Sequence, residues 1–195
     1  MVRSATRFLI RRLGRVIPPR VSIALGCVII VLLIVGFVQG VPGRATLAVL
    51  SNSFPVVDQG TADGAGQPTS TLRSGGPGSL VSWDSLGRQG RNFTGRGPRL
   101  EDLQDFSGGG CCQEPIRVYV GLGSAPSPEE RAQLAVRELD RTGPFDRKVL
   151  VVFTATGTGY INPDASNSIE YLYSGDTALV AMQCSFLPSW LPVLV

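Results

Sequence analysis

The sequence predicts an α/β fold, with a parallel sheet running strand–helix–strand–helix–strand through Pro115–Gln183. Three observations point to it. Apolar segments recur at intervals of about thirty residues, the spacing of βαβ units. Each interval holds a helix cap, a proline just inside it, and apolar residues at helical spacing. A glycine-bearing loop, Thr154–Tyr160, separates the second apolar segment from the helix after it. Right-handed crossovers are expected between such strands.

The first strand, Arg117–Leu122, alternates well enough for a sheet. Ser127 then caps a helix, Pro128 takes its first position, and Glu130 completes a capping box. Ala132, Ala135, Val136 and Leu139 give that helix one apolar face, and Gly143–Pro144 stops it. Val149–Phe153 is continuously apolar, as expected of a central parallel strand covered on both faces. Asn162–Pro163–Asp164 caps a second helix with the stripe Ala165, Ile169, Leu172, closed by Gly175. Thr177–Met182 reads as a third buried strand.

Residues 1–20 carry six arginines and no acid, and Val21–Val38 is an apolar run in which Ser22 is the only mildly polar member. As a helix this run rises about 27 Å, close to the thickness of a hydrocarbon core. The reading is a basic cytoplasmic segment (1–20), a single transmembrane helix (21–38), a flexible linker (39–75) and a folded domain (76–195). The charge asymmetry places the N-terminus in the cytoplasm and the domain outside the cell membrane. A cleaved signal peptide is the competitor, but Phe37–Val38–Gln39 is a poor cleavage site. Ala24–Leu25–Gly26–Cys27 faintly resembles a lipoprotein box, yet the apolar run continues far past Cys27.

Asp58–Gly78 has the composition of a linker. Gly78–Phe93 differs, because Leu80, Val81, Trp83, Leu86 and Phe93 call for burial as a packed strap. Arg88 and Arg91, three apart, are either solvated or set to meet an anionic group. Asp84 is a candidate buried acid with no base beside it, and Asn92–Phe93–Thr94 fits a glycosylation sequon.

With 18 basic and 15 acidic residues, net charge gives no nucleic-acid footprint. The chain has no His, so a His-based triad, a His general base and His metal ligands are excluded within it. Its four cysteines show no CxxC spacing, so no metal site is expected, and no cofactor. Cys27 and Cys184 read as small core-type residues. Cys111–Cys112 reads as two exposed thiols or a vicinal disulfide.

In parallel sheets ligands sit beyond the carboxyl ends of the strands. Gly157, Thr158 and Gly159 occupy that place and are the candidate anion or oxyanion loop, with plain turn glycines as the alternative. Gly121–Leu122–Gly123 ends the first strand similarly. Neither is a dinucleotide fingerprint, because Pro126 and Asn162 stand where a third glycine is needed, and no GxxxxGK[ST] occurs. No residue qualifies as catalytic.

Pro115–Leu122, Pro128–Ala132, Phe145–Val152, Thr156–Tyr160 and Gly175–Ala178, in this order, resemble a family of bacterial membrane-bound α/β-hydrolases. Gly78–Arg88 is similar to the stretch that precedes that family's catalytic domain. The resemblance implies a partial α/β-hydrolase-like sheet (βαβαβ) behind a single transmembrane helix and a Gly/Ser-rich linker. It also implies an ester- or lipid-directed serine hydrolase. In that order the loop after a central strand gives an oxyanion amide, and the nucleophile follows a later strand. Thr154–Tyr160 fits the first place. No GxSxG is present, and the chain has one apolar span where the family has several. The expectation is therefore the front part of such an enzyme, inactive alone, with the lipid bilayer as its partner. The alternative is a non-catalytic single-pass membrane protein whose small α/β module binds an anionic ligand or a partner subunit.

Overall fold

All three expected strands form, and they pair in parallel as β1 (Ile116–Val120), β2 (Val149–Phe153) and β3 (Thr177–Met182). The computed structural model describes residues 27–33, 35–36, 58–110 and 112–186. The chain divides into two units, Met1–Val49 and Leu50–Val193. In the first, residues 27–33 and 35–36 are helical and exposed, Cys27 among them rather than in a core. The remainder of the 21–38 run and the basic segment 1–20 lie outside the described residues. Among the described residues no helix is long and apolar enough to cross a membrane.

The second unit adds α1 (Gly87–Gly95), α2 (Leu100–Phe106), α3 (Pro128–Thr142) and α4 (Pro163–Leu172). Helix α3 is specified locally. Ser127 Oγ accepts from the Glu130 amide at 3.1 Å, Pro128 opens the first turn, and Gly143 leaves it at φ 68°. Asn162 caps α4 in the same way, accepting from the Asp164 amide at 2.8 Å.

The strand order is β1–β3–β2, which corrects the expectation for Val149–Phe153. Strand β3 is the central one, with every residue from Thr177 to Ala181 buried, whereas β2 is an edge. Leu150 and Val152 are exposed, Val152 by 75%. An unbroken apolar run signals burial on both faces, but it does not say which strand stands between the other two. The chain moves outward from β1 to β2 and back to β3, so right-handed crossovers put α3 and α4 on opposite faces.

The apolar spacing marks only part of the inward face of either helix: Ala135 of α3 is buried and Leu139 packs on the core, as does Ile169 of α4, but polar residues fill the rest. The buried positions of α3 are Arg131, Leu134, Ala135, Glu138 and Thr142, while Ala132 and Val136 are exposed. In α4 Ser166 and Glu170 are buried, Ile169 packs partly on the core, and Ala165 and Leu172 are exposed. The cause is polar pairing. Glu138 accepts from Ser79 Oγ at 2.6 Å, the Leu80 amide at 2.9 Å and Arg141 at 2.9 and 3.0 Å. Glu170 takes Arg117 Nε at 2.7 Å on one oxygen and Arg117 Nη2 on the other. Burial alone would push the Glu138 carboxyl up, but the bonds from Arg141, Ser79 and the Leu80 amide outweigh it and hold it below the usual range.

Residues 58–75, read from composition as linker, are held against the sheet. Leu72 O accepts from the Arg117 amide at 3.1 Å and Arg117 O from the Ser74 amide at 2.9 Å, so Arg73 forms a parallel bridge with β1. The Arg73 side chain is buried and donates to the Thr94, Gly97 and Pro98 carbonyls. Composition reports the freedom of an isolated backbone; these hydrogen bonds are tertiary and leave no mark in it.

The strap packs as expected through Val81, Leu86 and Phe93, with Leu80 exposed. Asp84 is exposed rather than a buried acid. Asn92 sits within α1 with its Oδ1 buried, so the sequon is not on an open loop.

Candidate functional site

The carboxyl ends of the strands converge on one side chain, Gln183, immediately after β3. It is buried, because the β1 and β2 exits close over it from either side. Its backbone amide donates to Val120 O at 2.9 Å. Its Oε1 accepts from the Leu122 amide at 3.3 Å, beyond β1. Its Nε2 donates to Thr158 O at 3.2 Å, beyond β2, and to Ser185 O at 3.2 Å. One amide, with a donor and an acceptor end, therefore ties the two exit loops to each other. A polar residue directly after a buried strand was the available signal for it.

The Thr154–Tyr160 loop closes on itself through a tight turn. The Gly159 amide donates to Thr156 O at 2.8 Å and the Tyr160 amide to Thr156 Oγ1 at 3.2 Å. Gly159 has φ 86°, and a β-carbon there would collide with Tyr119 Oη. The three carbonyls that follow are drawn toward the core. Gly157 O accepts from the Ser185 amide at 2.9 Å, Thr158 O from Gln183, and Gly159 O from Tyr119 Oη at 2.8 Å. In a trans peptide the N–H opposes the preceding carbonyl, so the Thr158 amide faces away from the Ser185 side. The Gly159 amide is spent within the turn. Of the sequence-derived trio, Gly159 thus shapes the loop, and the Thr158 amide lies opposite the Gly157 carbonyl that Ser185 holds.

Tyr119 is the loop's second anchor. Burial, reinforced by Asp58 and Cys184 nearby, pushes its phenol far above the ordinary value, so it stays a donor to Gly159 O. Asp58 accepts from the Arg88 amide at 3.1 Å and from Gln183 Nε2 at 3.4 Å. The segment carrying it is gripped by Arg91, whose Nη2 donates to the carbonyls of Asp58, Gln59 and Gly60 at 3.0, 2.5 and 3.0 Å. Arg88 is exposed and Arg91 is buried on backbone carbonyls, so the pair is not brought together around an anion.

Gly121 lets the strap pass against the end of β1, where a side chain would strike the Ser85 and Leu86 carbonyls. Beside it the Ser85 and Ser124 hydroxyls lie 3.0 Å apart. A hydroxyl needs an adjacent base to attack at neutral pH, and the chain offers no His for that task. Among the described residues no His, Cys, Asp and Glu cluster could hold a metal ion. Cys184 is exposed, not a core residue; Cys112 is half-buried, its thiol 3.4 Å from Ser107 Oγ. Cys111 lies outside the described residues. Lys148 is exposed beside the Tyr173 ring at 5.7 Å, as a solvated charge flanking β2.

Two family models match this chain. Residues 116–195 match the alpha/beta-hydrolase family, and residues 1–98 match the alpha/beta-hydrolase family N-terminus. No curated protein and no solved structure matches it. The first match covers the sheet and the Thr154–Tyr160 loop; the second covers the strap and half of the chain. With a three-stranded parallel sheet flanked by helices, the chain belongs to the alpha/beta-hydrolase family.

Proposed function

We propose that this chain is a membrane-anchored α/β-hydrolase protein whose strand ends hold an oxyanion-type loop, and that by itself it does not complete a serine-hydrolase centre. The observation that carries this reading is the loop itself. Three successive carbonyls are taken up by Ser185, Gln183 and Tyr119, and trans geometry turns the Thr158 amide to the side opposite the Gly157 carbonyl. Such donors are worth ~10²–10³ in rate where the rest of the site is present. Here no His accompanies the hydroxyls and no GxSxG is found, so the loop lacks an activated nucleophile to serve. The anchor is the Val21–Val38 run behind its arginine cluster, with the N-terminus cytoplasmic and the α/β unit outside the cell membrane. Ester or lipid substrates follow from the family alone.

The test is turnover of p-nitrophenyl butyrate by the purified full chain in detergent, with flotation of the same protein on lipid vesicles. The expected result is flotation without turnover above buffer. Turnover that one Ser→Ala change abolishes would overturn the catalytic half, and failure to float would overturn the anchor.

A second reading, a non-catalytic module that binds a partner subunit, draws on the open edge of β2. Val152 and Leu150 present apolar surface there, on an edge that pairs with no further strand among the described residues.

A further inference from the structure

Arg131 lies in the first turns of α3, on the helix face that is buried, and only 5% of it is exposed. Helical side chains lean toward the N-terminus of their helix. Its guanidinium accordingly reaches back past the cap, where Nη1 donates to Ala125 O at 3.1 Å and to Pro126 O at 3.4 Å. Those two residues stand immediately before the capping Ser127. Residues 121–127 lead from β1 into α3, so the guanidinium sits at the carboxyl end of the sheet, where ligands of parallel sheets bind.

The other edge of this guanidinium is empty. Nε is buried without a partner, and Nη2 makes no bond among the described residues. Nε and Nη2 together form a fork that can meet both oxygens of a carboxylate. The protein uses that fork twice elsewhere. Arg117 holds Glu170 through Nε and Nη2, and Arg141 holds Glu138 through the same pair of atoms, at 3.0 and 2.9 Å. All 15 Asp and Glu side chains of the chain lie within the described residues, and none of them pairs with Arg131. A buried guanidinium without a counter-charge is costly, and buried charges are paired as a rule. No side chain of this molecule supplies the missing partner.

Charge narrows the choice of ligand. The N-terminus of a 15-residue helix adds its positive end to the guanidinium. Glu129 and Glu130, in the same turn, are exposed and bring two negative charges, which oppose a dianion more than a monoanion. We propose that Arg131 anchors a carboxylate-binding site, with the two oxygens of an incoming monocarboxylate on Nε and Nη2, as Glu170 sits on Arg117. This binding does not depend on the reading of residues 157–159 as an oxyanion loop.

The experiment is titration of the full chain in detergent with sodium acetate at constant ionic strength, followed by NMR of the arginine Nε–Hε signals. The Arg131 signal should move saturably, while those of Arg117 and Arg141, whose forks are filled, should stay in place. Acetamide, which keeps the shape without the charge, should bind about tenfold more weakly. Arg131→Lys, which keeps the charge and loses the fork, should weaken acetate by a similar factor, read at the neighbouring Glu129 amide. If that variant fails to fold, the wild-type titration decides by itself. An Arg131 signal that stays still, or that moves in parallel with those of Arg117 and Arg141, would overturn the proposal. So would equal binding of acetate and acetamide, inorganic phosphate binding more tightly than acetate, or a folded Arg131→Lys variant binding acetate as the wild type does.

Discussion

Arg117 and Glu170 meet in the interior with almost no solvent contact, and the geometry decides what that costs. Desolvating two charges is expensive, and a two-point contact with further bonds to Asn167 and Phe93 O is what offsets it. Removing one partner leaves the other charge buried and unpaired. Arg117→Met should therefore lose about 3–5 kcal/mol, and the double change Arg117→Met with Glu170→Met should recover much of it. Urea unfolding followed by tryptophan fluorescence measures both; a double variant as unstable as the single would contradict this account. Glu138 gives a pH prediction of definite sign. Its folded-state pKa lies below the unfolded one, so the stabilisation is present above the ordinary Glu range and lost as pH falls through the lowered value. Wild type should be more stable than Glu138→Gln near neutrality, and the two should converge only once pH has fallen below the ordinary Glu range and through the lowered value. Parallel pH curves would show that the bonds from Ser79, Leu80 and Arg141 do not act through the ionised carboxylate. These residues also mark the limit of what could be read beforehand. The Gly157–Gly159 turn was visible because glycines and a helix cap are local signals. The partners of Gln183, Tyr119 and Arg91 were not, because each acts on backbone atoms 25 to 40 residues away.

At the level of elements, local chemistry set the ends of the helices and tertiary pairing set their faces. Ser127, Pro128 and Gly143 mark α3 correctly because caps depend on neighbours within four residues. Ser127→Ala should cost about 1 kcal/mol, checked by the urea midpoint, with Ser127→Asp as the variant that restores it. Apolar spacing places Ala135 and Leu139 of α3 against the core, but it cannot anticipate a buried Glu138 that brings its own partners, and Ala132 and Val136 are exposed. Strand order escapes the sequence for a related reason: the apolar run Val149–Phe153 predicts burial on both faces, but β3 returns between its two neighbours. The same order makes β2 the exposed edge, and a long apolar edge invites association. Val152→Lys should change stability by less than about 0.5 kcal/mol and lower light scattering by the purified protein. A large loss of stability would mean that Val152 is covered in solution.

Across the whole molecule, a small three-stranded sheet carries the two family matches, and the proposed anchor and the proposed lack of an activated serine are tested separately. The order of motifs was enough to indicate the family, because five stretches appear in sequence over the same region that folds as βαβαβ. The anchor is a separate claim. A reporter active only outside the cytoplasm, fused after Gly60, should be active; activity only of a cytoplasmic reporter would reverse the orientation. The central claim is that no serine in this chain is activated. Incubating the full chain with a fluorophosphonate probe and mapping the adduct by mass spectrometry tests it most directly. The account predicts no labelling beyond that of denatured protein. Stoichiometric labelling of a single serine, abolished by its change to Ala, would contradict it.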